Sequence, residues 1–331
     1  MKAICSFSGG LDSILAVRII QEQGIEVEAV HFNNGFGGCG ERKGGQTPVE
    51  YRAKKLGVKL SVIDVGAELI GILRSPSFGF GKNMNPCMDC HLLFFRKCGE
   101  YMEKAGASFI VTGEVLGERP MSQRRWAIDQ IDENSGLEGL ILRPLCAKLM
   151  KPTIPEEKGW VDREKLYAIS GRSRRPQMDL AAKFGIDFYP NAAGGCLLTE
   201  KEFSRKLKDL MEHKEGFNIE DVDFLKIGRH FRLSPHAKLI LGRDEKENEA
   251  LTKKVSGETW FITVEVPGPV AVVRGPLSKE DEELALHIIS SYSNILPGED
   301  MEVYRRTGPD GNPDTLTVKS VPKRDIQKHS I

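Results

Sequence analysis

The chain has 331 residues, of which 40% are hydrophobic and 28% are charged. This is the composition of a globular protein with enough apolar material for two or three domains, and no apolar run has the roughly 20 residues that a membrane-spanning helix needs. The 47 lysine and arginine residues balance the 47 aspartate and glutamate residues, which leaves only a local patch for nucleic-acid binding. The N-terminus lacks the apolar stretch of a signal peptide, so we expect a cytoplasmic protein that does not contact membranes.

The first half of the chain alternates between short apolar runs and segments of helical periodicity. Strands are predicted at residues 2–7, 27–32, 60–65 and 109–112, and helices at 13–23, 47–57, 67–73 and 90–105. Strands that are separated by helices of this length predict right-handed crossovers and a doubly wound parallel sheet. Ligands bind such a sheet at the carboxyl ends of its strands, so we expect a site after the first and fourth strands.

The second half of the chain contains two segments that differ in composition and in predicted secondary structure. Residues 143–183 hold ten lysines and arginines against five acidic residues and are mostly helical, with prolines as breaks. A helix is predicted at 199–213. After Gly216, strands are predicted at 238–241, 260–266, 270–274 and 315–321, with a helix at 279–292. We therefore expect an α/β domain over residues 1–150, a basic helical extension over 151–215 that completes it, and a separate α+β module over 216–331.

A loop with the sequence Ser-Gly-Gly-Leu-Asp-Ser follows the first predicted strand and precedes the first predicted helix. Gly9 and Gly10 let the backbone approach a ligand closely, and the amides and dipole of the following helix favour a phosphate. Ser8 and Ser13 can add hydrogen bonds, and Asp12 can orient the loop or help to hold Mg²⁺. A glycine turn with helix-capping serines is the simpler alternative, but six consecutive fitting residues argue against it.

Seven cysteines, an odd number without an export signal, argue against a disulfide framework. Cys87 and Cys90 stand just before a predicted helix, where two sulfurs can reach one metal centre, and Cys196 is the third partner of choice because its small neighbours suit close approach to a cofactor. A zinc half-site with His91 or Cys98 as a further donor, a redox pair and a chance spacing all stay open.

The remaining cysteines are predicted to have other roles. Cys5, Cys98 and Cys146 stand in apolar segments and are expected to be small core residues. Cys39 lies in a glycine-rich stretch and has no predicted role.

The loop resembles that of the PP-loop ATP pyrophosphatase superfamily, whose hallmark is Ser-Gly-Gly-x-Asp-Ser, and the resemblance extends to about residue 200. Members of this superfamily have a PP-loop/HUP-type sheet, cleave ATP to AMP and pyrophosphate, and adenylate a carbonyl-type oxygen. The resemblance implies that Mg²⁺ and ATP bind here, with Asp12 also taking part in catalysis. The implied nucleotide-binding residues are Ser8, Gly9, Gly10, Asp12, Ser13, His31, Asn33 and Gly113. Glu114, Arg119 and Gln123 follow Gly113 and fit either the site or a capped loop.

The order of loop, Asn-Pro-Cys-x-x-Cys and a later Gly-Cys resembles the tRNA thiouridine synthases. In members without a cluster, the positions that match Cys90 and Cys196 are the catalytic pair. The presence of Cys87 as well resembles the iron–sulfur-dependent branch, which implies that these three cysteines hold a [4Fe-4S] cluster with one iron open for hydrosulfide. The implied reaction adenylates a uracil carbonyl oxygen of tRNA and replaces it with sulfur. The sulfur donor would be free sulfide, a cysteine desulfurase or a sulfur carrier.

Residues 260–274 resemble the core of the NFACT-R domain, an RNA-binding module. That family usually has a histidine after Trp-Phe and Ser-His after Pro-Gly, whereas this chain has Ile262 and Pro269-Val270 at those positions. The cationic residues expected to dock RNA are Arg229, His230, Arg232, Lys238, Arg243 and Arg274. This two-domain layout favours 4-thiouridine synthesis, with 2-thiouridine synthesis as the alternative, and it allows a homodimer. A PP-loop ligase or amidotransferase that acts on a small carboxylate, and a non-catalytic RNA-binding protein, are the other hypotheses.

Overall fold

The computed structural model describes residues 1–37, 45–191 and 196–331. These residues form two compact units, Met1–Glu200 and Lys201–Ile331. The finer division that the sequence suggests at residues 150 and 215 stays a prediction. No helix in the described ranges combines the length and the apolar character needed to cross a membrane.

The first unit is built on a five-stranded parallel sheet with the strand order β3-β2-β1-β4-β5. Its strands are β1 (Lys2–Ser6), β2 (Glu26–Asn33), β3 (Lys59–Asp64), β4 (Phe109–Thr112) and β5 (Ile141–Leu142). Its helices are α1 (Leu11–Gln21), α2 (Pro48–Lys55), α3 (Gly66–Arg74), α4 (Cys87–Ala105), α5 (Arg125–Ser135), α6 (Ile154–Glu157) and α7 (Arg175–Lys183).

The sheet is covered on both faces, because successive residues of a strand point to opposite sides. Ala3 and Cys5 of β1 pack on one side in a core that includes Leu180 of α7. Ile4, which lies between them, packs on the other side in a core that includes Phe95 of α4. The predicted α/β fold class, with a doubly wound parallel sheet and a C-terminal α+β module, is confirmed.

The register of the sheet brings the expected site residues together. Ser6, the last residue of β1, is aligned with Val30 of β2 on one side and with Thr112 of β4 on the other. The segments that follow these three strands therefore leave the sheet at the same edge, as expected for ligand binding by a doubly wound sheet.

Helix α4 begins three residues earlier than the sequence pattern predicts. The amide of Cys90 donates to the carbonyl of Pro86 over 2.9 Å, so the helical hydrogen bonding starts before Cys87. Proline is tolerated at this position because it lacks only an amide that has no partner inside the helix. The helix ends at Gly106, which has a left-handed φ of 62°. Cys87 and Cys90 therefore lie within the first turn of α4 rather than in front of it.

The second unit contains a six-stranded antiparallel sheet with the order β11-β10-β8-β9-β7-β6. Its strands are β6 (Arg229–Arg232), β7 (Lys238–Leu241), β8 (Thr259–Thr263), β9 (Ala271–Arg274), β10 (Asp300–Thr307) and β11 (Asp314–Lys319). Its helices are α8 (Lys201–His213), α9 (Ile219–Leu225), α10 (Glu245–Lys254), α11 (Lys279–Ser291) and α12 (Lys323–Ile326). The sheet packs against α11 on one face and against α9 and α10 on the other.

Most cations that the sequence suggests for RNA docking are engaged within the second unit. Arg232 and Lys238 both contact the carboxylate of Asp209, over 2.6 and 3.0 Å. Arg274 pairs with Asp221 over 2.7 Å and with Glu258, Arg243 pairs with Glu247, and His230 is buried. Arg229 is exposed and lies over the ring of Tyr292 at 5.0 Å. In this conformation these residues, apart from Arg229, mainly hold the module together.

Candidate active site

The two serines of the glycine-rich loop after β1 form hydrogen bonds within the loop. The hydroxyl of Ser8 accepts a hydrogen bond from the Gly10 amide at 3.2 Å, and the hydroxyl of Ser13 donates to the Gly10 carbonyl at 3.0 Å. The two hydroxyls are 3.3 Å apart. Gly9 has a φ of 73°, a left-handed conformation that favours glycine. The loop therefore directs the N-terminus of α1 toward the edge of the sheet, where its amides favour an anion.

Gly113, directly after β4, touches the backbone of this loop. A side-chain carbon at Gly113 would lie 2.4 Å from the amide nitrogen of Ser13 and 2.5 Å from the carbonyl carbon of Asp12. No residue with a Cβ fits at that separation. The segment after β4 therefore fixes the position of the first turn of α1.

A cavity of 360 Å³ opens beside this contact. It is polar where it meets the loop and aromatic at α4, where the rings of Phe32 and Phe94 are stacked with centroids 4.6 Å apart. Its described walls are Ser6, Phe7, Ser8, Asp12, Ser13, His31, Phe32, Asn34, Gly37, His91, Phe94, Phe95, Thr112, Gly113, Glu114, Glu118, Arg119 and Gln123. An apolar surface for a base and a polar end for phosphates suit a nucleotide.

Two of the predicted nucleotide-binding residues, His31 and Asn33, differ in whether they line the cavity. His31 lines the cavity, and its Nδ1 lies 2.9 Å from the carbonyl oxygen of Phe7. Burial lowers the pKa of His31 despite this contact, so the imidazole is neutral at pH 7. Asn33 does not line the cavity among the described residues, because its amide donates to the Asp64 carboxylate at 2.8 Å. Its binding role stays a prediction.

The three cysteines lie close enough to influence one another. Burial raises the pKa of the Cys90 thiol well above its ordinary value, and negative charge on Cys87 and Cys196 raises it further. Cys196 is held near α4 by its neighbours: the amide of Leu197 donates to the Phe36 carbonyl at 3.3 Å, and the side chain of Asn83 donates to the Thr199 carbonyl at 2.7 Å. Two segments of chain far apart in sequence therefore bring their thiols together.

A metal site is not preformed among the residues that the structure describes, because no three histidine, cysteine or acidic side chains are arranged there as ligands. The donor chemistry nevertheless fits an iron–sulfur cluster, since three interacting thiols are the ligand type that such clusters use. Cys39 and the residues just before Cys196 lie outside the described ranges.

A buried charge network connects Cys87 to the cavity. The Nδ1 of His91 lies 2.7 Å from one Glu114 oxygen, and the Nε of Arg143 donates to the other at 2.8 Å. Arg143 also forms two hydrogen bonds of 2.8 Å with Asp132. Burial alone would raise the pKa of Glu114, but Arg143 and His91 outweigh it and hold this pKa below its ordinary value. The glutamate is therefore ionised and faces His91.

This network changes the state of Cys87. Burial opposes protonation of His91, but its contacts with Cys87 and Glu114 raise its pKa to about 10. Burial would likewise raise the pKa of Cys87, but His91 together with hydrogen bonding to Ser122 and Asn85 lowers it to about 7. At neutral pH a substantial share of Cys87 is therefore a thiolate paired with an imidazolium.

Comparison with known protein families gives a match for the N-terminal part of the chain and another for the C-terminal part. Residues 1–155 match the family described as thiamine biosynthesis protein (ThiI), and residues 228–330 match the NFACT protein RNA binding domain. The N-terminal part of the chain is therefore similar to the first family, and the C-terminal part is similar to the second. Both resemblances seen in the sequence are thereby confirmed.

Individual proteins are similar at lower identity. The tRNA-specific 2-thiouridylase MnmA of Stutzerimonas stutzeri is 24% identical over 269 residues, which are 79% of this chain and 68% of the relative. The solved U34-tRNA thiolase NcsA from Methanococcus maripaludis with its [4Fe-4S] cluster is 16% identical, with 68% of this chain and 71% of that chain covered and a TM-score of 0.34. A 4-thiouridine synthetase–RNA complex with bound ATP is 17% identical, with 56% and 51% covered and a TM-score of 0.36.

The PP-loop match leaves the network of His91, Glu114 and Arg143 unexplained. The sequence indicates His91 only as a further zinc donor and leaves the role of Glu114 open. The spacing of four between Cys87 and His91, which puts both on one face of a helix, was the available signal. Nothing local in the sequence pointed to Arg143, which is 29 residues from Glu114.

Gly113→Ala is expected to weaken ATP binding by about tenfold or more, because the new methyl group must displace the Ser13 amide from the phosphate end of the cavity. Gly71→Ala is the matched control, since a side-chain carbon there meets no atom within 4 Å. Titration calorimetry with ATP measures the effect, and thermal unfolding verifies that the variants are folded. Wild-type affinity in Gly113→Ala would contradict the assignment of this contact.

Alkylation should reveal the thiolate of Cys87. In chelator-treated protein, the rate at which iodoacetamide modifies Cys87 should rise with pH through a midpoint near 7, whereas Cys90 should react only at higher pH. His91→Gln removes the compensating positive charge and leaves burial, so the midpoint for Cys87 should move upward. Peptide mass spectrometry separates the cysteines. An unchanged midpoint in His91→Gln would show that this histidine does not stabilise the thiolate.

Proposed function

We propose that this protein is an ATP-dependent tRNA uridine sulfurtransferase, which adenylates a uracil carbonyl oxygen and replaces it with sulfur. The observation that carries the proposal is the position of α4. Its first turn holds Cys87 and Cys90, while His91, Phe94 and Phe95 line the cavity beside the glycine-rich loop. One helix therefore carries two of the thiols and part of the wall of a nucleotide-sized cavity.

The comparisons support the same chemistry. A PP-loop match over residues 1–155 favours ATP cleavage to AMP and pyrophosphate, and a match to an RNA binding domain over residues 228–330 favours an RNA acceptor. The relative that spans 79% of this chain is named as a tRNA-specific 2-thiouridylase. With Cys87 and Cys90 on a helix that also lines the cavity, and Cys196 close enough to act on Cys90, a sulfur-transfer reaction accounts for more of the chain than a carboxylate ligase does.

The residues of the cavity suit the two steps of such a reaction. In the first step, the uracil oxygen attacks the α-phosphorus of ATP and pyrophosphate leaves. The amides at the start of α1, the hydroxyls of Ser8 and Ser13, and the guanidinium of Arg119 lie at the end where the phosphates would bind. In the second step, a sulfur nucleophile attacks the activated ring carbon and AMP leaves with the former carbonyl oxygen.

The thiols would supply or hold the sulfur. A persulfide carried by Cys90 or Cys196 is one route, and Cys87, Cys90 and Cys196 would hold a [4Fe-4S] cluster in the other. When bound, that cluster supplies an open iron that can hold hydrosulfide. Asp12 would help to hold Mg²⁺ with the phosphates. A cysteine desulfurase or a sulfur carrier would charge the persulfide, and after its outer sulfur attacks the ring carbon the second cysteine would cleave the S–S bond and form a disulfide, which an external thiol reduces. Free sulfide would supply the cluster route.

For the modified position we propose 4-thiouridine, because a PP-loop domain of the ThiI family is joined here to an RNA-binding-type domain. 2-Thiouridine is the second candidate, favoured by the names of the relatives that span most of the chain. 4-Thiouridine and 2-thiouridine differ in chromatographic retention and in mass-spectrometric fragmentation, so one analysis of tRNA nucleosides separates them.

Deletion of the gene should remove one thiolated nucleoside from tRNA. Complementation with the wild-type chain should restore it, whereas Asp12→Ala, Cys90→Ser and Cys196→Ser should not, because they remove phosphate binding or sulfur transfer. Cys98→Ala is the matched control, since Cys98 lies on α4 but is buried in the core. Liquid chromatography with mass spectrometry of tRNA nucleosides gives the result. Unchanged thionucleosides in the deletion strain, where no second thiouridine synthase is present, would refute the function.

The cluster has its own test. Protein purified without oxygen should be brown and hold about three to four irons per chain, and Cys87→Ala should lose most of that iron. A colourless protein that contains zinc or no metal would refute the cluster and leave the persulfide route. Cys98→Ala again serves as the control, because its sulfur lies in the core.

A further inference from the structure

Gln177 on α7 has a buried amide without a partner. The residue is 0% exposed, yet neither its Oε1 nor its Nε2 forms a hydrogen bond among the residues that the structure describes. Buried polar side chains in native proteins are nearly always hydrogen-bonded, because loss of water without a new partner is unfavourable. A buried amide in this state requires a partner that a small rearrangement can bring within hydrogen-bond distance.

The amide faces Asp12, which is in the same condition. The Oδ1 of Asp12 is also buried without a hydrogen-bond partner among the described residues. Helix α7 packs against α1, which carries Asp12. Burial raises the pKa of Asp12, and the side chain of Gln177 is the largest influence that opposes this. The two side chains therefore face each other across the contact between α1 and α7 without completing a hydrogen bond.

Two guanidinium groups converge on the same carboxylate. The positive charges of Arg174 and Arg119 both act on Asp12 and on the neighbouring Glu118. Asp12, Glu118 and Arg119 line the polar end of the cavity. Arg174 directly precedes α7 and is held by the Pro190 carbonyl at 3.4 Å. Two cations and the amide of Gln177 thus act on the Asp12 carboxylate in the first turn of α1.

We propose that Gln177 and Arg174 complete the pyrophosphate-binding end of the nucleotide site. Gln177 is a positioning residue that donates to the Asp12 carboxylate and orients it toward the magnesium-bound β- and γ-phosphates, while Arg174 and Arg119 offset their negative charge. The inference rests on the proposed function only in its use of ATP. The basic segment around α7 would then take part in nucleotide binding, whereas its charge alone indicates RNA binding.

The test compares ligands that share AMP but differ in the pyrophosphate. Titration calorimetry on the full chain measures the binding of ATP, inorganic pyrophosphate and AMP, each with magnesium. Gln177→Met keeps the volume but removes the amide, and Arg174→Ala removes the charge. Both should weaken ATP and pyrophosphate binding by about tenfold, as expected for a hydrogen bond to a charged group, and leave AMP binding unchanged. Arg175→Ala, an exposed neighbour, is the matched control and should bind all three ligands normally.

The outcomes separate this inference from a structural role and from the wider function. Equal weakening of AMP and ATP binding in Gln177→Met would show that the residue only supports the fold, and wild-type binding in both variants would overturn the proposal. If Gln177→Met does not fold, Arg174→Ala decides by the same comparison. Selective loss of pyrophosphate binding in a protein whose tRNA products are unchanged on deletion would support this inference while refuting sulfur transfer.

Discussion

The contact between Gly113 and the backbone at Asp12 and Ser13 is the constraint on which the site depends. It joins the ends of two neighbouring parallel strands with no side chain between them. Because the contact leaves no space for a side chain at Gly113, the first turn of α1 packs directly against the segment that follows β4. The loop, the cavity beside it and the charge network after β4 all take their geometry from that position. A nucleotide site built in this way is formed before its ligand arrives.

Helix α4 connects this edge of the sheet to the cysteines, so that one candidate site includes both the nucleotide cavity and the thiols. Its first turn carries two cysteines and its second carries His91, whose partner Glu114 belongs to the segment that follows Gly113. The thiol region and the nucleotide cavity are therefore connected through one buried ion network that ends at Asp132. The charge on His91 makes Cys87 more acidic than the other two cysteines of the group, so the three thiols are chemically distinct even though they are close together.

The sequence was sufficient for the features that depend on neighbouring residues. The alternation of apolar runs and helices predicted the parallel sheet, and the glycine-rich loop predicted the turn after β1, because both patterns are local. Features built from distant residues were missed. Glu114 and Arg143 meet across 29 positions, and Gln177 meets Asp12 between two helices, so no spacing rule connects them. β10 was also missed, because only Met301 and Val303 of its eight residues are buried, which leaves too little apolar alternation to predict a strand.

The central claim is that ATP activates a carbonyl oxygen of a tRNA uracil, and oxygen tracing tests it directly. A tRNA whose uracil carbonyl oxygen is ¹⁸O would be incubated with the protein, ATP, magnesium and sulfide. The adenylation mechanism predicts that AMP is released with the ¹⁸O label on its phosphate, in step with the appearance of the thionucleoside. Unlabelled AMP, or ADP and phosphate in its place, would contradict the mechanism, because the oxygen would then have left by another route.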